Sequence, residues 1–217
     1  MMVAMHSHQS HPLVLINGRS SLIGGTCSSA TTTALLQAHL QRAHWMHSHL
    51  MLYPQRLAIH WYWERHRLEV ARRVLEQVLR VADGGLVDVG AHSLGADVAR
   101  LVMEIAPRPV FRRVVLMGPA MSHRHDWRPY KFERMAVFHN PDDRAIFWGG
   151  VLPWHPFGFA GRRGFAKEDS RVIHYCLPDR DGVDRWRHSH YFRPDAITEL
   201  GMLMDLFLTT DVVPEMA

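Results

Sequence analysis

The sequence LVDVGAHSLGADVARLVMEI, at residues 86–105, predicts a buried strand, a sharp turn and a helix. The strand is predicted at 86–89, where a short apolar run follows a Gly-Gly turn. The helix is predicted at 94–105, where apolar side chains recur at helical spacing. The turn between them is a variant of the pattern G-x-S-x-G, with Ala91 at the position of the first glycine. Ser93 therefore lies where the strand passes into the helix.

This position suits a nucleophilic serine. A serine hydroxyl is a weak nucleophile until it is lifted clear of the backbone and paired with a base. Bulky side chains beside such a turn would collide with the neighbouring strand and helix, and Gly90 and Gly95 avoid this. The first turn of the helix also offers free N–H groups, including that of Leu94, to a developing oxyanion. The alternative is an ordinary glycine-flanked turn between a strand and a helix.

An acid and a histidine follow Ser93 in the order expected for such a serine. Asp142 and Asp143 come directly after a later predicted strand, at the carboxyl end where open α/β sheets keep their sites. His188 and His190 come shortly before the last predicted helix. The chain therefore runs Ser, Asp, His, the order of the hydrolases that carry a nucleophile elbow.

Short apolar strands alternate with amphipathic helices along most of the chain, which predicts a mainly parallel sheet with helices on both faces. The predicted strands are 13–17, 57–63, 86–89, 114–117, 136–139 and 172–175, and the predicted helices are 34–45, 66–82, 94–105 and 195–208.

The chain resembles the α/β-hydrolases from Leu13 to Leu208, and within them small bacterial hydrolases of uncharacterised function. The resemblance depends on AHSLG at 91–95, similar to an AHSMG-type elbow, and on DRAI at 143–146, similar to a DRAL-type acid turn. It implies a single α/β-hydrolase domain at 13–217 after a polar, histidine-rich segment at 1–12. Only seventeen residues are available where large caps enter this fold, so we expect a minimal cap or none.

The resemblance also implies roles for individual residues. Ser93 would be the nucleophile. Asp143 is preferred to Asp142 as the acid because it directly precedes Arg-Ala-Ile. His188 is preferred to His190 as the base because it begins a family-like HSxYF stretch.

An oxyanion hole would combine the backbone N–H of Leu94 with one from the loop after the first strand. Asn17-Gly18-Arg19 stands where such enzymes often have His-Gly. Gly18 permits a close backbone approach, and Arg19 is the expected second donor. A plain Asn-Gly turn is the alternative for this segment.

The segment 147–165 is rich in aromatic residues, Gly and Pro. It is interpreted as a loop with two alternatives, a mobile apolar flap beside the site or a loop packed onto the sheet edge. Under the first, Phe147, Trp148, Trp154 and Phe157 would bind an acyl chain or a hydrophobic ester.

The activity implied by the resemblance is cleavage of a carboxylic ester through an acyl-enzyme, as in esterases and lipases, with no metal or organic cofactor. Thioester hydrolysis or acyl transfer on the same residues is one alternative. A catalytically silent binding protein of the same fold is another, since fold alone does not fix function.

Composition and charge argue against several other classes of protein. The chain has 217 residues, a net charge of +4 and a pI near 9.4, with its basic residues scattered among 21 acids, so no nucleic-acid partner is expected. No apolar run reaches the ~18 residues of a membrane span, and no signal-peptide core is seen. Cys27 and Cys176 are too few for a disulfide scaffold. We therefore expect a cytoplasmic protein, and the resemblance implies a small ester or lipid as its substrate.

Overall fold

The described part of the chain contains strands that alternate with helices. A computed structural model describes residues 11–16, 36–38, 40, 48–51, 64–151, 158–177, 188, 190–192 and 194–210. The strands are β1 (Leu13–Ile16), β2 (Ser48–Met51), β3 (Val87–His92), β4 (Phe111–Met117), β5 (Arg134–His139) and β6 (Val172–Cys176). The helices are α1 (Glu64–Ala82), α2 (Gly95–Ile105), α3 (Arg144–Val151), α4 (Ala160–Arg163) and α5 (Pro194–Thr209), with a 3₁₀ turn at His190–Phe192.

The strands form one sheet in the order β2-β1-β3-β4-β5-β6, and every neighbouring pair is parallel. The chain passes from β1 outward to β2 and then returns to β3 on the other side of β1. The order therefore reverses beside β1, and open α/β sheets bind their ligands at the carboxyl ends of the strands that flank such a reversal, here β1 and β3. Ser93 follows β3 directly.

Helices cover both faces of the sheet, which explains why its strands are apolar on both sides. Along β1, Val14 and Ile16 belong to one hydrophobic cluster, with side chains of α1 and α2. Leu13 and Leu15 belong to the other cluster, with side chains of α5 and the buried Leu36 and Leu40. Residues 36–38 and 40 are helical, within the predicted helix 34–45.

A buried ion pair ties the sheet to α5. The carboxylate of Asp88, fully buried in β3, accepts hydrogen bonds of 3.0 and 2.6 Å from the Arg112 guanidinium and one of 3.1 Å from the Arg113 N–H. The guanidinium of Arg113 donates to the carbonyl oxygens of Phe207 and Thr210, at 2.8 and 2.6 Å. Cationic groups at the end of a helix complement its dipole, so this cluster fixes the end of α5.

Most predicted elements are confirmed to within three residues at either end. The exceptions concern the second strand and the aromatic segment. The strand predicted at 57–63 lies outside the described residues, whereas β2 at Ser48–Met51 was not predicted, because its sequence Ser-His-Leu-Met has only two adjacent apolar residues and no alternation.

The prediction of a loop over 147–165 is wrong at both ends of that segment. Phe147 and Trp148 lie in α3, and residues 160–163 form α4. The part at 158–166 packs along the chain after β4, where the Ala160 N–H donates to the Met121 carbonyl oxygen at 3.2 Å. These residues are therefore packed against the body of the protein, at the chain after β4.

No cap domain interrupts the fold between β4 and β5, since the described residues 118–133 contain neither helix nor strand. No helix within the described ranges is long and apolar enough to cross a membrane.

Candidate active site

The backbone at Ser93 is strained. Ser93 has a φ of 55°, in the left-handed region that costs a residue with a β-carbon about 1–2 kcal/mol. Its N–H donates to the Met117 carbonyl oxygen at 3.0 Å. Its own carbonyl oxygen accepts from the N–H groups of Ala96 and Ala120, each at 3.1 Å. Backbone hydrogen bonds to α2 and to the end of β4 thus hold the strained residue in place.

Small residues precede Ser93 for a steric reason. A β-carbon at Gly90 would lie 2.9 Å from Leu15 of β1 and 3.0 Å from Met204 of α5. The collision with a neighbouring strand and helix that the sequence predicts involves β1 and α5, not the helix that follows the turn. Ala91, two residues before the serine, is fully buried.

The structure brings Ser93, His188 and Asp143 into one hydrogen-bonded chain. The Ser93 Oγ lies 2.7 Å from Nε2 of His188, and Nδ1 of His188 lies 3.0 Å from Oδ2 of Asp143. With Nδ1 protonated, the imidazole donates to the carboxylate and accepts from the serine hydroxyl. Ser93 and Asp143 are buried, and the His188 side chain is 21% exposed. The arrangement allows the imidazole to remove the proton of the Ser93 hydroxyl.

The turn after β5 selects one of the two aspartates. Asp143 is fully buried, and its second oxygen, Oδ1, accepts from the Ile146 N–H at 2.9 Å, which caps the start of α3. Asp142 is exposed, and its N–H donates to Oδ1 of Asn140 at 2.7 Å. Asp143 thus serves both as a helix cap and as the partner of His188, while Asp142 faces solvent.

Helix α4 packs against this turn and is hydrogen-bonded to it. The Asn140 N–H donates to the Gly161 carbonyl oxygen at 2.9 Å, and Nε of Arg162 donates to the Pro141 carbonyl oxygen at 2.6 Å. A β-carbon at Gly161 would lie 2.9 Å from the backbone of Gly118. The acid turn is therefore packed between α4 and the end of β4.

Gly118, which the sequence analysis did not identify, lies beside the contact between His188 and Asp143. It has a φ of 50°, and a β-carbon there would meet Nδ1 of His188 at 3.5 Å and Oδ2 of Asp143 at 3.6 Å. The dipeptide Gly118-Pro119 after a strand is a turn signal that could have identified it.

Of the remaining residues predicted for the site, the structure describes some and not others. Leu94 begins the first turn of α2, where backbone N–H groups lack partners within the helix. Phe147 and Trp148 of α3 are exposed, Trp148 by 65%. Outside the described residues lie Gly18, Arg19, Trp154 and Phe157, together with the side chain of His190.

Comparison with solved structures identifies the fold. The chain is similar to the NocB thioesterase domain, solved as a covalent complex with a fluorophosphonate analogue of nocardicin G (TM-score 0.54, 13% identity, 92% of this chain and 95% of that one). It is also similar to CarC, a serine hydrolase involved in carbazole degradation (TM-score 0.54, 14% identity, 92% and 91%). RedJ gives a TM-score of 0.50 at 14% identity over 89% and 90% of the chains. The chain has the α/β-hydrolase fold.

No known protein family matches the chain in sequence, and no match was found among curated proteins.

Proposed function

We propose that this protein is a serine hydrolase that cleaves carboxylic esters through an acyl-enzyme. The observation that carries the proposal is the continuous hydrogen-bonded chain from Ser93 through His188 to Asp143, at 2.7 and 3.0 Å. It starts at a strained serine between a strand and a helix, the geometry of a nucleophile elbow.

In this mechanism Oγ of Ser93 attacks the ester carbonyl carbon while Nε2 of His188 takes the hydroxyl proton. Asp143 stabilises the resulting imidazolium through Nδ1. Collapse of the tetrahedral intermediate breaks the carbon–oxygen bond of the ester, and the imidazolium gives its proton to the leaving alcohol. Water then attacks the acyl-enzyme with His188 again as base, which releases the acid and restores Ser93.

The developing oxyanion would be bound by the N–H of Leu94 at the positive end of α2. A second donor is assigned to the loop after β1, with Arg19 as the expected residue and Gly18 as the position that permits the approach. The register of the sheet supports this assignment, because β1 pairs directly with β3 and Ile16 lies opposite Ala91.

The favoured substrates carry an apolar acyl or alcohol group. Helix α3 starts at the residue after Asp143 and exposes Phe147 and Trp148 to solvent within five residues of the acid. Exposed aromatic side chains on the helix that Asp143 caps favour hydrophobic substrates. The same role remains proposed for Trp154 and Phe157.

Thioesters of the same acyl groups are the second candidate, because one structural neighbour is a thioesterase domain and both reactions pass through an acyl-enzyme. A silent binding protein of this fold is disfavoured, since a ligand site has no need of a strained serine joined to a buried acid through a histidine.

Intact-mass spectrometry after treatment with a fluorophosphonate tests the proposal. We expect one adduct on the wild-type protein and none on Ser93→Ala, because only an activated serine displaces fluoride from the probe. A folded wild-type protein that takes up no probe, or a Ser93→Ala variant that still does, would overturn it.

Substrate choice is tested with p-nitrophenyl esters from acetate to dodecanoate and with coenzyme A thioesters of matched chain length. We expect kcat/KM to rise with chain length in the ester series and to exceed that for the thioester of the same acyl group. Faster turnover of the thioesters would move the assignment to thioester hydrolysis.

A further inference from the structure

His92, the last residue of β3, lies next to Ser93 and contacts the residue proposed as its base. The ring is 6% exposed, and its Nε2 lies 2.8 Å from the main-chain carbonyl oxygen of His188. A carbonyl oxygen can only accept, so Nε2 of His92 carries the proton and donates. The strand that carries the serine is thereby tied directly to the segment that carries the histidine.

Aromatic contacts fix the orientation of the His92 ring. Its centroid lies 5.0 Å from that of His188, 4.8 Å from Phe192 in an edge-to-face arrangement and 5.9 Å from Tyr191. Phe192 and Tyr191 are both buried, so neighbours that have little room to move surround the ring.

The environment keeps His92 neutral. Burial, together with repulsion from His188, lowers the pKa of His92 to about 3. At neutral pH, Nε2 therefore holds the ring's single proton, and that proton is committed to the carbonyl oxygen. His92 cannot serve as a base through Nε2, and it adds no positive charge beside the imidazolium that forms on His188.

We propose that His92 is a positioning residue, whose Nε2–H holds the main chain at His188 so that the imidazole bridges Ser93 and Asp143. The inference rests on the proposed function, since it assigns His92 a part in activating Ser93. The competing explanation is that His92 only fills the space between β3 and the 3₁₀ turn at His190–Phe192.

Three substitutions separate the hydrogen bond from the volume. His92→Gln places an amide N–H where the imidazole Nε2–H lies. His92→Asn carries the same amide one methylene shorter, near the position of Nδ1 and out of reach of the carbonyl oxygen. His92→Phe keeps an aromatic ring but has no donor.

The measurement is the rate constant for fluorophosphonate labelling of Ser93 under excess probe, with the final adduct stoichiometry read by intact mass. The rate reports activation of the serine, and the stoichiometry reports the fraction of folded sites. We expect His92→Phe and His92→Asn to label about 10- to 100-fold more slowly to the same final stoichiometry, because a small displacement of a catalytic base is costly. We expect His92→Gln to recover most of the wild-type rate.

Steady-state hydrolysis of p-nitrophenyl butyrate supplies a second readout. A positioning role predicts a lower kcat for His92→Phe and His92→Asn with KM unchanged, because His92 is not expected to contact the substrate.

Labelling of His92→Phe at the wild-type rate would overturn the inference. Equal slowing of Gln and Asn variants would also overturn it, because the position of the donor would then not matter, and this comparison remains decisive if the Phe variant does not fold. Failure of the wild-type protein to label is a different outcome, and it would overturn the proposed function together with this inference.

Discussion

Gly118→Ala should disturb the geometry of His188 and Asp143 although neither residue is itself substituted. Gly118 follows β4 with a φ of 50°, and an added β-carbon would lie 3.3 Å from Cε2 of Tyr191, 3.5 Å from Nδ1 of His188 and 3.6 Å from Oδ2 of Asp143. The first distance is tighter than ordinary contact, and Tyr191 is fully buried, so its ring has little room to move away.

The expected loss of stability has two parts. A β-carbon in the left-handed region destabilises the folded state by about 1–2 kcal/mol. Alanine also lowers the conformational entropy of the unfolded chain, which offsets about 0.4–1 kcal/mol of that loss. Crowding in a packed core adds about 1–3 kcal/mol. Gly118→Ala should therefore lower the free energy of unfolding by about 1–5 kcal/mol, measured by urea denaturation.

Gly84→Ala is the matched control. Gly84 also has a positive φ, 84°, but an added β-carbon would meet nothing within 4 Å. This variant should lose only the conformational part, about 1 kcal/mol.

The two variants should also differ in fluorophosphonate labelling of Ser93. The new methyl group at position 118 lies against both partners of the His188–Asp143 hydrogen bond, so we expect labelling to slow about tenfold or more. Gly84→Ala should label at the wild-type rate. Wild-type labelling of folded Gly118→Ala, or equal slowing of both variants, would refute the reasoning.

Three other changes test separate parts of the structure. Asp143→Asn should reduce kcat for ester hydrolysis by about 10³- to 10⁴-fold, as expected when a histidine loses its orienting carboxylate. Asp142→Asn, at an exposed position, should change kcat by less than about twofold. Similar losses in both variants would contradict the choice of Asp143 as the acid. Arg112→Met should lower the free energy of unfolding, measured in urea, by about 3–5 kcal/mol, because it leaves the buried Asp88 carboxylate without its cationic partner. Adding Asp88→Asn should recover part of that loss. If nothing is recovered, the unpaired charge is not the cause. Burial lowers the pKa of His125 to about 4, below the 6.5 of an unfolded histidine, so the unfolded state binds the proton first. The free energy of unfolding should therefore fall as the pH drops from about 6.5 to about 4, by at most about 1.4 kcal/mol per pH unit for this group. His125→Leu should make this pH dependence less steep, and an unchanged slope would contradict the assignment.

The sequence alone determined the fold class and the place of the turn at Ser93. Both depend on local patterns, namely apolar strands alternating with amphipathic helices and small residues around a serine between a strand and a helix. It missed β2, a short edge strand with only two adjacent apolar residues, and α3, whose start is capped by the side chain of Asp143.

Only the tertiary structure decided which acidic side chain meets the histidine. Asp142 and Asp143 are neighbours with the same chemistry, and the turn held by α4 points one toward solvent and the other toward His188. The positions of Gly118 and His92 have the same origin, since both lie beside His188 and Tyr191, which are at least 70 residues away in the chain. A local pattern specifies how a segment folds, but which side chains meet across the sheet depends on how distant segments pack.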